Sequence, residues 1–189
     1  MGVQNRATMT LEERRPRRAD AARNFDALVT AGRDVFAEEG SGASLEDIAR
    51  RAGVGIGTLY RNFPTRDDLI ETLYLREVAA LADAADEVSG LAPWAAFEAW
   101  LDRFVEYVGT KHVLLDGLNG ESTVFAECRV VMLAAGDPLL KRAQQEGAAK
   151  ADLDIGDVVK LIAGVSAVAY DDDAQRRRVL ELAIGSLRA

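Results

Sequence analysis

The run SLEDIARRAGVGIGTLYRNF, from Ser44 to Phe63, decides how the rest of the chain is read. Ser44 is an N-cap residue, and Asp47 three positions on gives the capping-box spacing. Leu45, Ile48, Ala49 and Ala52 recur with the period of a helix that buries one side. Gly53 follows at once and suits the left-handed conformation that stops a helix. A second short helix then runs to about Asn62, with Val54, Leu59 and Phe63 turned inward. Gly55, Gly57, Thr58, Tyr60, Arg61 and Asn62 are left facing outward. Two short helices around a glycine-centred turn predict a helix-turn-helix, whose second helix enters a DNA groove. The competing reading is an ordinary pair of core helices, which gives no reason to expose Gly57, Thr58 and Tyr60.

The flanks agree. Upstream, Phe25, Leu28, Val29, Val35 and Phe36 line one side of a helix from about Asp20 to Glu39, stopped by Gly40. Downstream, Pro64 ends the second short helix. Thr65 and Asp68 repeat the capping-box spacing and open a longer helix to about Glu87, with Ile70, Leu73, Tyr74, Val78 and Leu81 on its inner side. Free N–H groups at its start make a phosphate site, and Arg66 stands in its first turn. Residues 1–18 read as a disordered basic arm in which Arg14, Arg15, Arg17 and Arg18 gain phosphate contacts on binding.

The motifs D-I-A-x-x-A-G-V (Asp47–Val54), G-T-L-Y-x-x-F (Gly57–Phe63) and P-T-R-D-D-L (Pro64–Leu69) resemble those of the TetR family of bacterial transcriptional regulators. The likeness covers about residues 20–75. It implies a DNA-contacting set of Ser44, Gly55, Ile56, Gly57, Thr58, Tyr60, Arg61, Asn62 and Arg66. Thr58, Tyr60, Asn62 and Arg66 would position the protein through phosphates, with Arg61, Gly55 and Ile56 in reach of base edges or thymine methyls. The family usually has Ser or Thr at Gly55 and often a polar residue at Ile56, so the base preference expected here departs from the common one.

The chain has 189 residues, of which 49% are apolar, enough for one or two domains with real cores. Its net charge of -8 divides unevenly. Residues 1–66 hold 11 Arg and 9 Asp/Glu, a net of +2, and residues 67–189 hold 12 Lys/Arg and 22 Asp/Glu, a net of -10. The acidic half is repelled by DNA, which leaves the N-terminal end to approach it. Cys128 is the only cysteine, which excludes an intramolecular disulfide framework. The longest uncharged apolar run, Leu161 to Tyr170, is too short for a membrane span, and the N-terminus lacks the apolar core of a signal peptide. A cytoplasmic location is expected, with no membrane partner.

The break Ser89-Gly90-Leu91-Ala92-Pro93 opens a further helical region. Trp94, Phe97, Trp100, Leu101, Phe104, Tyr107 and Val108 load one helix with aromatics, which either fill a core or line a pocket. Trp100, Phe104, His112, Phe125, Cys128 and Met132 are the candidate effector-binding residues. Asn119-Gly120 reads as a turn. A helical stretch over about 122–147 is expected to break or kink near Gly136-Asp137-Pro138. Within it, Leu139–Asp152 is similar to the SbtR-like subgroup of the same family. Two last helices cover about Ile155–Tyr170 and Ala174–Leu187, with Asp171–Asp173 favouring the start of the second. The resemblance implies that they pair with their copies in a second chain, and Ile162, Val165, Leu180, Ile184 and Leu187 are the candidate interface residues.

No nucleophile–base pair, metal cluster, calcium loop or dinucleotide loop is legible, so neither an enzyme nor a cofactor is expected. The expected fold class is all-α. A basic arm (1–18) precedes a three-helix helix-turn-helix domain (19–66) and a helical effector-binding and dimerisation domain (67–189). The expected function is that of a homodimeric, sequence-specific DNA-binding repressor released by an unknown small-molecule effector, acting on a palindromic double-stranded operator. The alternative is a dimeric small-molecule-binding protein whose helix-turn-helix no longer binds DNA.

Overall fold

A computed structural model describes residues 11–115 and 124–189. The turn expected at Asn119-Gly120 and the first ten residues of the expected arm lie outside the described residues. Helices account for all the regular elements described, apart from one isolated bridge between Ala149 and Arg188. They are α1 (Ala19–Glu39), α2 (Leu45–Arg51), α3 (Ile56–Asn62), α4 (Arg66–Glu87), α5 (Pro93–Leu115), α6 (Val124–Gln145), α7 (Ile155–Ser166) and α8 (Asp173–Gly185), with a 3-10 turn at Gly40–Gly42. None of the described helices is long and apolar enough to cross a membrane.

The chain forms two compact units. One contains the described residues 11–77 and the described part of 110–128. Its core is built on α1, whose Phe25, Leu28, Val29, Val35 and Phe36 are all buried. α2 and α3 both pack on α1, and the Phe25 ring meets Phe63 at 5.2 Å between centroids. The Arg51 guanidinium ties α2 to α1. It donates to both carboxylate oxygens of Glu38 at 2.8 and 2.6 Å and to Asp47 at 2.9 Å. The Arg51 and Arg50 guanidinium groups hold the Glu38 and Asp47 carboxyls below the usual carboxylate range.

The other unit contains residues 78–109 and 129–189. Five aromatic side chains run along α5 in a continuous file. Trp94 meets Phe97 edge-on, Phe97 stacks on Trp100, Trp100 on Phe104 at 5.8 Å, and Phe104 lies against Tyr107. The Trp100 indole N–H donates to the Leu81 carbonyl at 3.2 Å. Of the break or kink expected at Gly136-Asp137-Pro138, the break does not occur: α6 is a single helix with Pro138 inside it. Gly136 has a packing role instead. A Cβ placed there would stand 2.4 Å from the Trp100 ring, so only glycine admits the indole at its present depth.

α7 and α8 pack on each other. Asp154 and Asp172 cap them, each accepting from a backbone N–H at 2.6 Å, from Gly156 and Gln175 respectively. α7 ends at Ser166 rather than near Tyr170, whose hydroxyl donates back to the Val165 carbonyl at 2.6 Å.

Candidate nucleic-acid interface

The turn between α2 and α3 is made by Gly53, whose φ of 69° is the left-handed conformation that glycine adopts without strain. Val54 N–H returns to the Ala49 carbonyl at 3.0 Å and closes α2. The capping box expected at the start of α2 is half formed. Asp47 N–H donates to Ser44 Oγ at 3.3 Å, but the Asp47 carboxylate is drawn to Arg50 and Arg51 instead of returning to Ser44. The second box is complete. Thr65 N–H donates to Asp68 Oδ2 at 2.9 Å, and Asp68 N–H donates to Thr65 Oγ1 at 3.1 Å.

α3 is seven residues long and buries only Leu59. Gly55, Ile56, Gly57, Tyr60 and Arg61 are exposed, with Ile56 at 38% and Tyr60 at 47%. A Cβ at Gly55 or Gly57 would meet nothing within 4 Å, so the fold of the subunit does not itself demand glycine there. Val54, expected inward, is half-buried.

The polar residues of α3 are partly engaged with one another. Arg61 lies back along its helix, donating to the Gly57 carbonyl at 3.1 Å and to Thr58 Oγ1 at 3.0 Å. Asn62 donates to the Thr58 carbonyl at 2.8 Å. Ser44 Oγ, besides its capping bond, donates to Glu46 at 3.0 Å. A ligand that recruits Arg61 or Thr58 must exchange these local bonds for its own. Ile56 and the Tyr60 ring carry no such commitment.

Tertiary contacts engage two of the groups expected at phosphates. Arg66, expected at a phosphate, donates to the carbonyls of Ala43 and Ser41, the latter at 2.8 Å, and lies over the Phe36 ring at 4.9 Å. It anchors the loop between α1 and α2, and the carboxylate of Asp68 occupies the neighbouring start of α4. Arg66→Ala should therefore act on stability. Two hydrogen bonds from a charged donor and a ring contact are lost, about 1–3 kcal/mol. A urea titration followed by circular dichroism checks this. The other engaged group is in the arm, where Arg14 bonds to α4 and Arg15 to α1.

Of the candidate effector residues, Trp100 and Phe104 touch each other and are buried with Met132 in the second unit. Cys128 is buried in the first, where desolvation first and then the Glu127 charge push its thiol up to about 12, so it is protonated at neutral pH. His112 lies on α5 and Phe125 on α6, but their side chains are outside the described residues.

Among the candidate interface residues, Ile162, Ile184 and Leu187 are covered within the subunit and Val165 and Leu180 are half-buried. The large apolar residues left exposed at this end are Leu161, Val168 and Leu182. Leu180 and Ile184 also line an open groove of about 510 Å³ between α5 and α8, with Asp102, Glu106, Arg176 and Arg177 at its edges.

Comparison with known proteins gives this arrangement its family. Residues 28–73 match the model of bacterial regulatory proteins of the tetR family. Residues 92–189, more than half of the chain, match that of the transcriptional regulator SbtR-like C-terminal domain. The chain belongs to the TetR family. A TetR transcriptional regulator of Streptomyces coelicolor is 38% identical, with 87% of this chain and 98% of that one covered and a TM-score of 0.74. A TetR transcription regulatory protein of Mycobacterium vanbaalenii is 31% identical over 92% and 100% of the two chains, with a TM-score of 0.72. The fatty acid degradation regulator of Bacillus halodurans, at 21% identity, 87% and 100% coverage and a TM-score of 0.60, shares the fold. This TetR-family regulator therefore combines a helix-turn-helix of the family with an SbtR-like C-terminal part.

Proposed function

We propose that the protein is a homodimeric, sequence-specific DNA-binding repressor, released from its operator by a small molecule that binds in the 93–170 region. The observation that carries this reading is the exposure of α3. A helix that buries one residue of seven and presents Ile56 and Tyr60 to solvent has no packing reason for its outer face. Ile56 would meet a thymine methyl and Arg61 a base edge, while Tyr60, Thr58 and Asn62 would lie against phosphates. Ser44, Gly55 and Gly57 would allow close approach of the backbone.

Two-fold symmetry would place half-site centres about 34–36 Å apart, or at a multiple of that distance. The partner would cover the stripe that α7 and α8 leave open. Leu161, Gly164, Val165 and Val168 recur at helical spacing on α7 and just past its end, and Val179 and Leu182 continue the stripe on α8. A boundary near residue 66 between the DNA-binding and effector parts is retained in this reading. Release by an effector requires two states that bind it with different affinity.

Titration against duplex DNA from upstream of the protein's own gene, repeated across salt concentrations, tests the proposal. Specific binding with a steep salt slope is expected. Binding that shows no preference over random duplex contradicts it and favours a helix-turn-helix that has lost DNA. In the same assay Tyr60→Ala should weaken binding by about 100-fold, the cost of two charge-assisted phosphate hydrogen bonds, one in each subunit, with the dimer intact by light scattering.

A further inference from the structure

We propose that the four arginines at the start of the chain divide into two pairs: Arg14 and Arg15 clasp residues 11–18 onto the helix-turn-helix unit, and Arg17 and Arg18, held in place by that clasp, are the DNA-phosphate contacts. This rests on the DNA-binding role proposed above. Arg14 reaches three acceptors on α4: the Asp68 carbonyl at 3.4 Å, Thr72 Oγ1 at 3.2 Å and Glu71 Oε2 at 2.8 Å. Thr72 is fully buried, and its own hydroxyl donates to the Asp68 carbonyl at 2.7 Å. Its remaining lone pairs face the arginine, so the receiving site is assembled by α4 itself. Arg15 closes on the other side with two parallel bonds to Asp26 on α1, at 2.9 and 2.6 Å, the fork geometry that suits a carboxylate. Both guanidinium groups are spent inside the protein.

Arg17 and Arg18 are exposed and have no partner among the described residues. Pro16 separates the pairs and limits the backbone between them. Arg18 is the N-cap residue of α1, in an extended conformation with φ -76° and ψ 131°. Seven residues further along α1, about 10 Å at the rise of a helix, Phe25 rests on Phe63, the residue that ends α3. The unspent cations thus stand about two helical turns from the rung that supports the recognition helix. Clasping the arm beforehand removes part of the ordering cost that a loose arm would meet on binding.

The experiment measures the affinity of full-length protein for a duplex fragment selected from genomic DNA, against salt concentration. Arg17→Gln with Arg18→Gln should lower the slope of log affinity against log salt by about 0.9 per lost contact, or about 3.6 for a dimer. Arg14→Gln and Thr72→Val should each weaken binding by roughly tenfold with the slope nearly unchanged, and together should weaken it no further, because both open one clasp. Thr72→Val changes no charge, so its effect cannot be electrostatic. The assignment is overturned if Arg14→Gln lowers the slope as the outer pair does while Thr72→Val has no effect. It is equally overturned if the outer pair leaves the slope unchanged while the parent protein binds with a steep one. A parent protein that selects no fragment at all refutes the DNA-binding reading itself, a separate result.

Discussion

Leu182→Glu should yield a monomer that keeps its helices and loses operator affinity by about 100-fold or more. Leu182 is 73% exposed in the isolated subunit, so the substitution removes no internal contact of consequence. In the proposed dimer it sits in the stripe shared with Leu161 and Val168, where a carboxylate would be desolvated against its own copy. Two recognition helices on one duplex make the second contact intramolecular, and a monomer forfeits that gain of about 10²–10⁴. Light scattering reads the mass and a mobility shift reads the affinity. A dimer of unchanged mass would show that this face is not the interface. The same substitution at Ile162 would be a poor test, since that side chain is fully buried in its own subunit and its loss would damage the fold.

Trp100→Ala should destabilise the protein by about 3–5 kcal/mol, the range for emptying a buried aromatic site. The indole is fully buried, stacked between Phe97 and Phe104, and its N–H satisfies the Leu81 carbonyl. Truncation leaves a cavity and removes the second donor to the Leu81 carbonyl. Gly136→Ala should cost about 1–3 kcal/mol by the opposite route, since its new methyl would overlap the same ring. The two changes should not add. In the Trp100→Ala background the methyl enters vacated space, so Gly136→Ala should cost little or even restore stability. Denaturant titration of the two single variants and the double checks this. Additive losses would show that Trp100 and Gly136 do not share one packing site.

The helix-turn-helix was legible because its signals are local. A cap at Ser44, a left-handed Gly53 and the spacing of Ile48, Ala49 and Leu59 all act within one turn of the chain. The acidic run Asp171–Asp173 at the start of α8 was legible for the same reason, while the Asp154 cap of α7 was not anticipated. The tertiary partners of Arg66 and Arg14 were not legible because they lie 23 to 58 residues away, and composition marks an arginine as basic without saying what it touches. Pro138 suggested a break or kink, yet the helix continues through it.

The C-terminal stripe was half legible. Apolar periodicity identified α7 and α8 as helices with broad apolar faces. It did not say that Ile162, Ile184 and Leu187 are buried in their own subunit while Leu161 and Leu182 are exposed.

Chemical protection of a selected genomic fragment by the full-length protein tests the central claim, that α3 is the element presented to DNA. Two protected major-groove patches are predicted on one face of the duplex, with centres about one helical turn or a multiple of it apart. Ile56→Ala should restore reactivity at a thymine in each patch. Protection confined to a single patch, or unaltered by substitution anywhere along the outer face of α3, would contradict the account.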